Sequence, residues 1–262
     1  MAEFMWRTLA RLQSDWDRHA KADPLWAILT DPAMKNRQWE LQAFFETGQR
    51  EIGDLMLYAD SLGVEVGRRH ALDFGCGVGR LTRALAGHFD QVCGVDISPA
   101  MLELARAYNA HIPNCAFVQN TEPSFRALPP GNFDLIYSSV TLQHMPPRYT
   151  KRYLRGLAGR LRPSGLIIFQ LPDQNQMGPA DRVRSFLYEE IYRRYVLWAE
   201  PSMDMYGLRK RRVIATIERS GCRVLDVTPN CAAEPEWTSY RYAAVREDAP
   251  ALEKLRRKRI PT

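Results

Sequence analysis

The 262-residue sequence predicts an α/β fold: a doubly wound, mainly parallel sheet with helices on both faces. Two observations carry this expectation. Between His70 and Phe169, five short apolar runs alternate with helical segments. The first of those runs empties into a glycine-rich turn, Gly75-Cys76-Gly77-Val78-Gly79, that opens a helix.

Residues 1–68 read as a helical extension. Trp6, Leu9, Leu12 and Trp16 fall at three- and four-residue spacings on one helical face. Asp23-Pro24 and Asp31-Pro32 interrupt the helix. A second run goes from Gln38 through Phe44, Phe45, Ile52, Leu55 and Met56 to Leu62, and Gly63 stops it. Residues 69–172 form the core, with strands expected at 71–74, 91–95, 116–118, 133–137 and 166–169 and helices from Arg80, Pro99 and Arg148. Residues 173–207 read as an insertion, a loop at 173–179 followed by an aromatic-rich helix from Arg182 to Trp198. Residues 208–247 supply a helix, Leu208–Ser220, and two β-like runs, Arg223–Val227 and Ser239–Val245, suited to antiparallel pairing across Pro229 and Pro235. Residues 248–262 are a basic tail.

A composition of 45% hydrophobic and 25% charged residues is that of a globular chain. The net charge of +6 is assigned to solvated faces, because the one dense basic run, Lys254–Arg259, lies in the tail. Cys76, Cys93, Cys115, Cys222 and Cys231 are odd in number and include no Cys-x-x-Cys, which argues against a disulfide framework or zinc site and for a cytoplasmic setting. The first residues lack the apolar segment of a signal peptide, and no stretch is long enough to span a bilayer.

The stretch Ala71–Thr82 joins a strand to a helix through alternating glycines. Glycine lets the backbone turn sharply and approach a ligand closely, and a helix N-terminus favours an anionic group. With Asp73 before them, Gly75, Gly77 and Gly79 match the first motif of the class I S-adenosylmethionine (SAM)-dependent methyltransferases, which the chain resembles over roughly 70–172. A nicotinamide-dependent dehydrogenase also uses a glycine-rich first turn, but its fingerprint needs glycine or alanine where this chain has Arg80. The resemblance implies SAM as cofactor and a Rossmann-like sheet of seven strands, the last antiparallel.

The second motif of that family matches at Val95-Asp96-Ile97-Ser98-Pro99-Ala100-Met101. Asp96 suits ribose hydroxyls and Ile97 the adenine face, with Met101 alongside; Asp96 also reads as a helix N-terminal acid, with Ser98 as cap. Cys76 lies within the glycine turn. Asn120 and Thr121 stand where many relatives place an acid against the adenine amino group, although Asn120 reads equally as a turn residue.

Ligands of open α/β sheets sit beyond the carboxyl ends of the strands, so Ser138 through Gln143 and His144 are expected to face the methyl group. His144 is the candidate general base, since an imidazole can take a hydroxyl proton near neutrality; its other reading is a brace for the loop. Trp39, Phe44 and Phe45, and from the insertion Tyr188, Tyr192, Tyr195 and Trp198, are candidates for a lid. Gln170, Tyr206, Trp237 and Tyr240 are candidates for the acceptor pocket. Each aromatic also reads as core packing. The Asp/Asn-Pro-Pro-Tyr signature of base and glutamine methylation is absent, which argues against a nucleic-acid substrate.

The chain further resembles actinobacterial O-methyltransferases of sugars and secondary metabolites, including those that methylate polysaccharides. The expectation is therefore methyl transfer to a hydroxyl of a small molecule, a sugar or oligosaccharide of the mannose or glucose type. A polyketide-like acceptor is the alternative, with a NAD-dependent dehydrogenase and a non-catalytic SAM-binding module behind it. A divalent ion such as Mg2+ and a homodimer are left open.

Overall fold

The computed structural model describes residues 8–129, 131–176, 203–230 and 236–247. The helix expected over Arg182–Trp198 with its four lid candidates, the basic tail, Trp6, Cys231 and Pro235 lie outside the described residues.

The N-terminal extension folds as α1 (Leu9–Ala22), α2 (Pro24–Ile28), a 3-10 turn (Pro32–Met34) and α3 (Leu41–Ser61). Each helix starts where a side chain can satisfy a free N–H. Thr8 accepts from Arg11 N–H, Asp23 from Trp26 N–H, and Glu40 from Ala43 N–H. The cap at Glu40 starts α3 later than the expected Gln38, and Gly63 ends that segment at a positive φ of 68°.

The core then runs β1 (His70–Phe74), α4 (Arg80–Leu85), β2 (Gln91–Asp96), α5 (Pro99–Tyr108), β3 (Cys115–Gln119), β4 (Phe133–Ser138), a 3-10 turn (Leu142–His144), α6 (Pro147–Ala158) and β5 (Leu161–Asn175). After the gap come α7 (Lys210–Glu218), β6 (Cys222–Pro229) and β7 (Trp237–Arg246). The seven strands form one sheet in the order β3-β2-β1-β4-β5-β7-β6. The pairs among β1 to β5 are parallel, and β7 is antiparallel to both β5 and β6. This is the Rossmann-like sheet with an antiparallel last strand.

The central strands are mostly apolar because both faces are covered. Leu72, Ile136 and Ile167 face a cluster with Leu154, Leu157, Val213 and Ile217 from α6 and α7. Ala71, Leu135 and Ile168 face Ile52, Leu55 and Leu85 from α3 and α4.

One expectation is corrected here. Asp173-Gln174-Asn175, read as loop, continues β5, because Gln174 and Asn175 pair with Thr238 and Trp237 of β7. A strand held by backbone bonds to a neighbour needs no apolar side chains at its end.

The chain winds from β1 towards β3, then returns to place β4 on the other side of β1. The crevice beyond the carboxyl ends of β1 and β4 is thus the switch point, where folds of this type hold ligands.

Candidate functional site

The turn after β1 is pinned to the end of β2. Gly75 and Cys76 N–H both donate to the Val95 carbonyl, at 2.7 and 3.0 Å. Gly75, Gly77 and Gly79 take φ values of 80°, 51° and 85°, which favour glycine. A Cβ at Gly75 would run into Thr141, and one at Gly77 would lie 2.6 Å from Ile28 Cδ1. Asp96, at the end of β2, ties the two motifs together: its carboxylate accepts Gly77 N–H and Ser98 N–H, each at 2.9 Å. Burial raises the Asp96 pKa against the pull of these donors.

These residues floor a cleft. Gly75, Cys76 and Gly77 line its base, Asp96, Ile97, Met101 and Asn120 one side, and Ser139, Thr141 and His144 the other. The cover comes from the extension: Leu12 and Trp16 of α1, and Ala27 and Ile28 of α2. Asp17 latches that cover, accepting the Ser98 hydroxyl at 2.5 Å and Ala100 N–H at 3.3 Å at the start of α5.

Other expected site residues stand away from the walls. Asp73, 1% exposed, accepts the Thr82 hydroxyl at 2.6 Å and fastens α4 to β1. Burial is the main cause of its pKa rising to about 7, with Thr82 and Arg80 pulling it down. Gly79 is the first cap of α4, where a Cβ would meet Phe117 at 2.9 Å. The Ser138 hydroxyl donates to the Phe74 carbonyl at 3.0 Å. Thr121 is exposed, whereas Asn120 stays on the cleft wall and donates its amide to the Glu122 carbonyl at 2.7 Å. Gln143 and Gln170 are buried and bonded to each other at 3.1 Å.

The expected lid aromatics of the extension pack inward instead. Phe44 and Phe45 belong to an apolar cluster with Val78 and Met101, and Trp39 packs edge-on against Phe44 while donating its indole N–H to Leu29 carbonyl. Trp237 packs against the backbone of Gly207, and Tyr240 lies under the Lys210 ammonium at 4.5 Å.

Arg80 also lines the cleft. It is 4% exposed, and its guanidinium meets Glu51 of α3 at 2.6 Å and the Thr47 hydroxyl at 3.2 Å. Tyr137 donates to the other Glu51 oxygen at 2.8 Å. The Arg80 Nε is buried with no hydrogen-bond partner. The sequence marks Arg80 as a helix start and a departure from the dehydrogenase fingerprint, not as a cleft residue.

His144 closes the 3-10 turn after β4. Its Nδ1 lies 3.0 Å from the Asp204 carbonyl, and its ring is edge-on to Trp16 at 5.2 Å. Burial lowers its pKa, which keeps the imidazole neutral near neutral pH. His144, Leu12 and Trp16 also bound a second, smaller cavity with Asp15, Tyr149, Asp204 and Tyr206. His144 therefore stands between two spaces. Among the described residues no group of three or more His, Cys, Asp or Glu side chains is placed to hold a metal ion.

Known proteins resemble this chain in sequence and in fold. Residues 71–165 match the family described as Methyltransferase domain. Trans-aconitate 2-methyltransferase of Methylobacterium radiotolerans is 39% identical over 117 residues, 44% of this chain and 42% of the relative. Ubiquinone biosynthesis O-methyltransferase of Coxiella burnetii is 27% identical over 163 residues, 61% of this chain and 66% of the relative. The chain thus spans under half the length of the trans-aconitate relatives it matches. Among solved structures, magnesium protoporphyrin IX methyltransferase of Synechocystis with bound S-adenosylhomocysteine (SAH) superposes with a TM-score of 0.59 at 17% identity, covering 90% of this chain and 99% of that one. A SAM-dependent methyltransferase of Mesorhizobium loti gives 0.54 at 21% identity, covering 71% and 95%. Both share the fold. Residues 71–165 thus match a methyltransferase domain, on a sheet that shares the fold of these SAM-dependent methyltransferases.

Proposed function

We propose that this domain makes the chain an O-methyltransferase, passing the methyl group of SAM to a hydroxyl of a small molecule, with His144 receiving the hydroxyl proton. The observation that supports the reading is a shared wall: His144, the glycine turn and Asp96 line one cleft.

The residues present suit SAM. The turn at Gly75 and Gly77 leaves backbone where side chains would collide with Thr141 and Ile28. Asp96 keeps carboxylate lone pairs for ribose hydroxyls beside its two backbone donors, Ile97 and Met101 offer an apolar wall to adenine, and Asn120 borders them. The unpartnered Arg80 Nε is a donor suited to the methionine carboxylate. SAM supplies an already activated methyl on its sulfonium. What remains for the chain is alignment, worth about 7–11 kcal/mol in favourable cases, and exclusion of water. Leu12 and Trp16 cover the cleft, and the Asp17 latch holds them there. With Nδ1 turned to the Asp204 carbonyl, Nε2 of His144 is the atom left to accept a proton.

Within the small-molecule class we favour a sugar or oligosaccharide of the mannose or glucose type. Trp16, Tyr149 and Tyr206 beside the polar Asp15 and Asp204 in the second cavity suit a hydroxylated ring. The same aromatics favour a polyketide-like ring as the second reading. The names of the relatives are trans-aconitate and ubiquinone-biosynthesis enzymes, which supports a small molecule and oxygen without naming a sugar. The four described cysteines are free thiols, and a cytoplasmic setting goes with this proposal. No described helix is long and apolar enough to cross a membrane.

The test is methyl-labelled SAM against extracted sugars, phenolic metabolites and RNA. Label is expected on a hydroxyl of a small molecule. His144→Ala should cut turnover by roughly 10²–10⁴-fold, the range for general acid–base groups, with SAH affinity kept. Unchanged turnover removes the base role, and label on RNA alone removes the small-molecule reading.

A further inference from the structure

We infer that Gln143 is a positioning residue: held by Gln170 and Ser239, it sets His144 in the tautomer that carries its proton on Nδ1. The catalytic meaning of this inference rests on the base role proposed above, but the tautomer itself does not.

The argument starts from a buried polar chain. Gln143, Gln170 and Ser239 are each 4% exposed. They lie beside an apolar cluster that contains Leu142, Met145, Phe169 and Leu171. Buried amides are costly unless satisfied, so their orientations are strongly constrained. Gln170 Nε2 has two hydrogens and two acceptors, Gln143 Oε1 at 3.1 Å and Ser239 Oγ at 2.6 Å. With Gln143 Oε1 taken, Gln143 Nε2 faces His144 Nε2 at 3.4 Å. An amide nitrogen is only a donor, so the histidine atom opposite it must offer a lone pair. The ring proton then sits on Nδ1, which donates to the Asp204 carbonyl at 3.0 Å. The backbone fixes both ends of this chain, since Tyr206 N–H donates to the Gln143 carbonyl at 2.6 Å and Gln170 of β5 and Ser239 of β7 lie on paired strands, opposite Arg241 and Pro172.

The alternative arrangement has a defined cost. Turning both amides over would put Gln143 Oε1 opposite His144 Nε2, which would then have to carry the proton. A neutral ring would present its Nδ1 lone pair to the Asp204 carbonyl, acceptor against acceptor. Only the doubly protonated ring satisfies both contacts in that arrangement. The two amide orientations therefore correspond to the two charge states of His144. In the neutral orientation Gln170 Oε1 is buried without a partner. Turned over, that oxygen would face the Gln143 amide and the Ser239 hydroxyl, both able to donate. The chain thus selects the proton-accepting tautomer at rest and can follow the ring when a proton arrives. The contact is long for a hydrogen bond at 3.4 Å, so an acceptor hydroxyl can displace the Gln143 amide from the Nε2 lone pair at small cost.

Asp15 of α1, Tyr149 of α6, Asp204 and Tyr206 share the second cavity with His144, while Asp96, Arg80 and Tyr153 share the cleft. The test must therefore change the amides and leave these groups in place. Long-range 1H–15N spectra of the full chain report the tautomer of each of its five histidines, with His144→Ala assigning the signal. Wild type is expected to show a pyridine-type Nε2 and a pyrrole-type Nδ1 at His144. In Gln143→Leu and Gln170→Leu the ratio of the two tautomers should fall by roughly 2- to 10-fold, the equivalent of one neutral hydrogen bond. Gln143→Glu, of almost the same volume, should raise the titration of His144 and protonate both nitrogens at a pH where wild type is neutral. SAH calorimetry and thermal unfolding check that each variant is folded. A wild-type ring protonated on Nε2 overturns the inference even if every variant fails to fold. So does an unchanged tautomer in both leucine variants. A tautomer that moves while turnover stays constant supports the positioning and removes the base role.

Discussion

Replacing Glu51 by leucine should destabilise the chain by about 3 kcal/mol. The Arg80 guanidinium, 4% exposed, meets Glu51 at 2.6 Å, and Tyr137 donates to the second Glu51 oxygen at 2.8 Å. Leucine would leave a buried charge and a buried hydroxyl facing methyl groups. Removing one partner of a buried pair costs roughly 3–5 kcal/mol. The Glu51 side chain is 27% exposed, so water reaches part of the vacated site and the low end of that range applies. For a chain of this size each kcal/mol moves Tm by about 2–4 °C, so the midpoint should fall by roughly 6–12 °C. Urea unfolding with thermal melts measures both quantities. Adding Arg80→Met should return most of the loss, because it removes the orphaned charge. A loss under about 1 kcal/mol, or a double variant no more stable than the single one, would refute the reasoning that this ion pair anchors α3 to the glycine turn.

Three further outcomes are expected. Asp17→Ala removes the latch to Ser98 and Ala100 and should weaken SAH binding by roughly tenfold, one hydrogen bond to an ionised acceptor; titration calorimetry with an unaltered dissociation constant would show that the cover closes without it. Burial lifts Asp73 from 3.8 to about 7, so between about pH 4 and 7 the folded chain keeps a proton that the unfolded chain has lost. Stability from this group therefore falls as pH rises through that window, by a few kcal/mol at most, then levels off. Asp73→Asn keeps an oxygen for Thr82 and should flatten the profile of urea midpoint against pH, and matching slopes in variant and wild type would contradict this. Because burial lowers His144 from its usual 6.5, the acid limb of the pH–rate profile should lie below 6.5; a limb above that value would mean that another group is titrating.

The glycine turn and Asp96 were legible in the sequence because each is a short strand–turn unit whose spacing the backbone dictates. The alternation of apolar runs foretold the sheet for the same reason, since strands buried on both faces carry mostly apolar residues. What could not be read depends on which distant surfaces meet. Trp16 and Phe45 lie on amphipathic helices of one extension, with Trp39 just before the second of them, and nothing local distinguishes the residue over the cleft from those packed beneath it. Asp17 meets Ser98 across 81 positions and Arg80 meets Glu51 across 29, separations at which single charges carry no pattern. Asp73 belongs to the motif, yet its neighbour Thr82 on α4 draws it behind the wall. The polar end of β5 looked like a loop because its strand character comes from β7, not from its own residues.

Titration calorimetry of the full chain with SAH and with NAD tests the central claim most directly, namely that the cleft between the glycine turn and Asp96 holds the methyl donor. SAH should bind and NAD should not. Asp96→Ala should weaken SAH by roughly 10- to 150-fold, the range for a hydrogen bond to a charged acceptor, with part of that arising from the orphaned Gly77 N–H. Heat from NAD but none from SAH, or equal SAH affinity in the Asp96→Ala variant, would contradict the account.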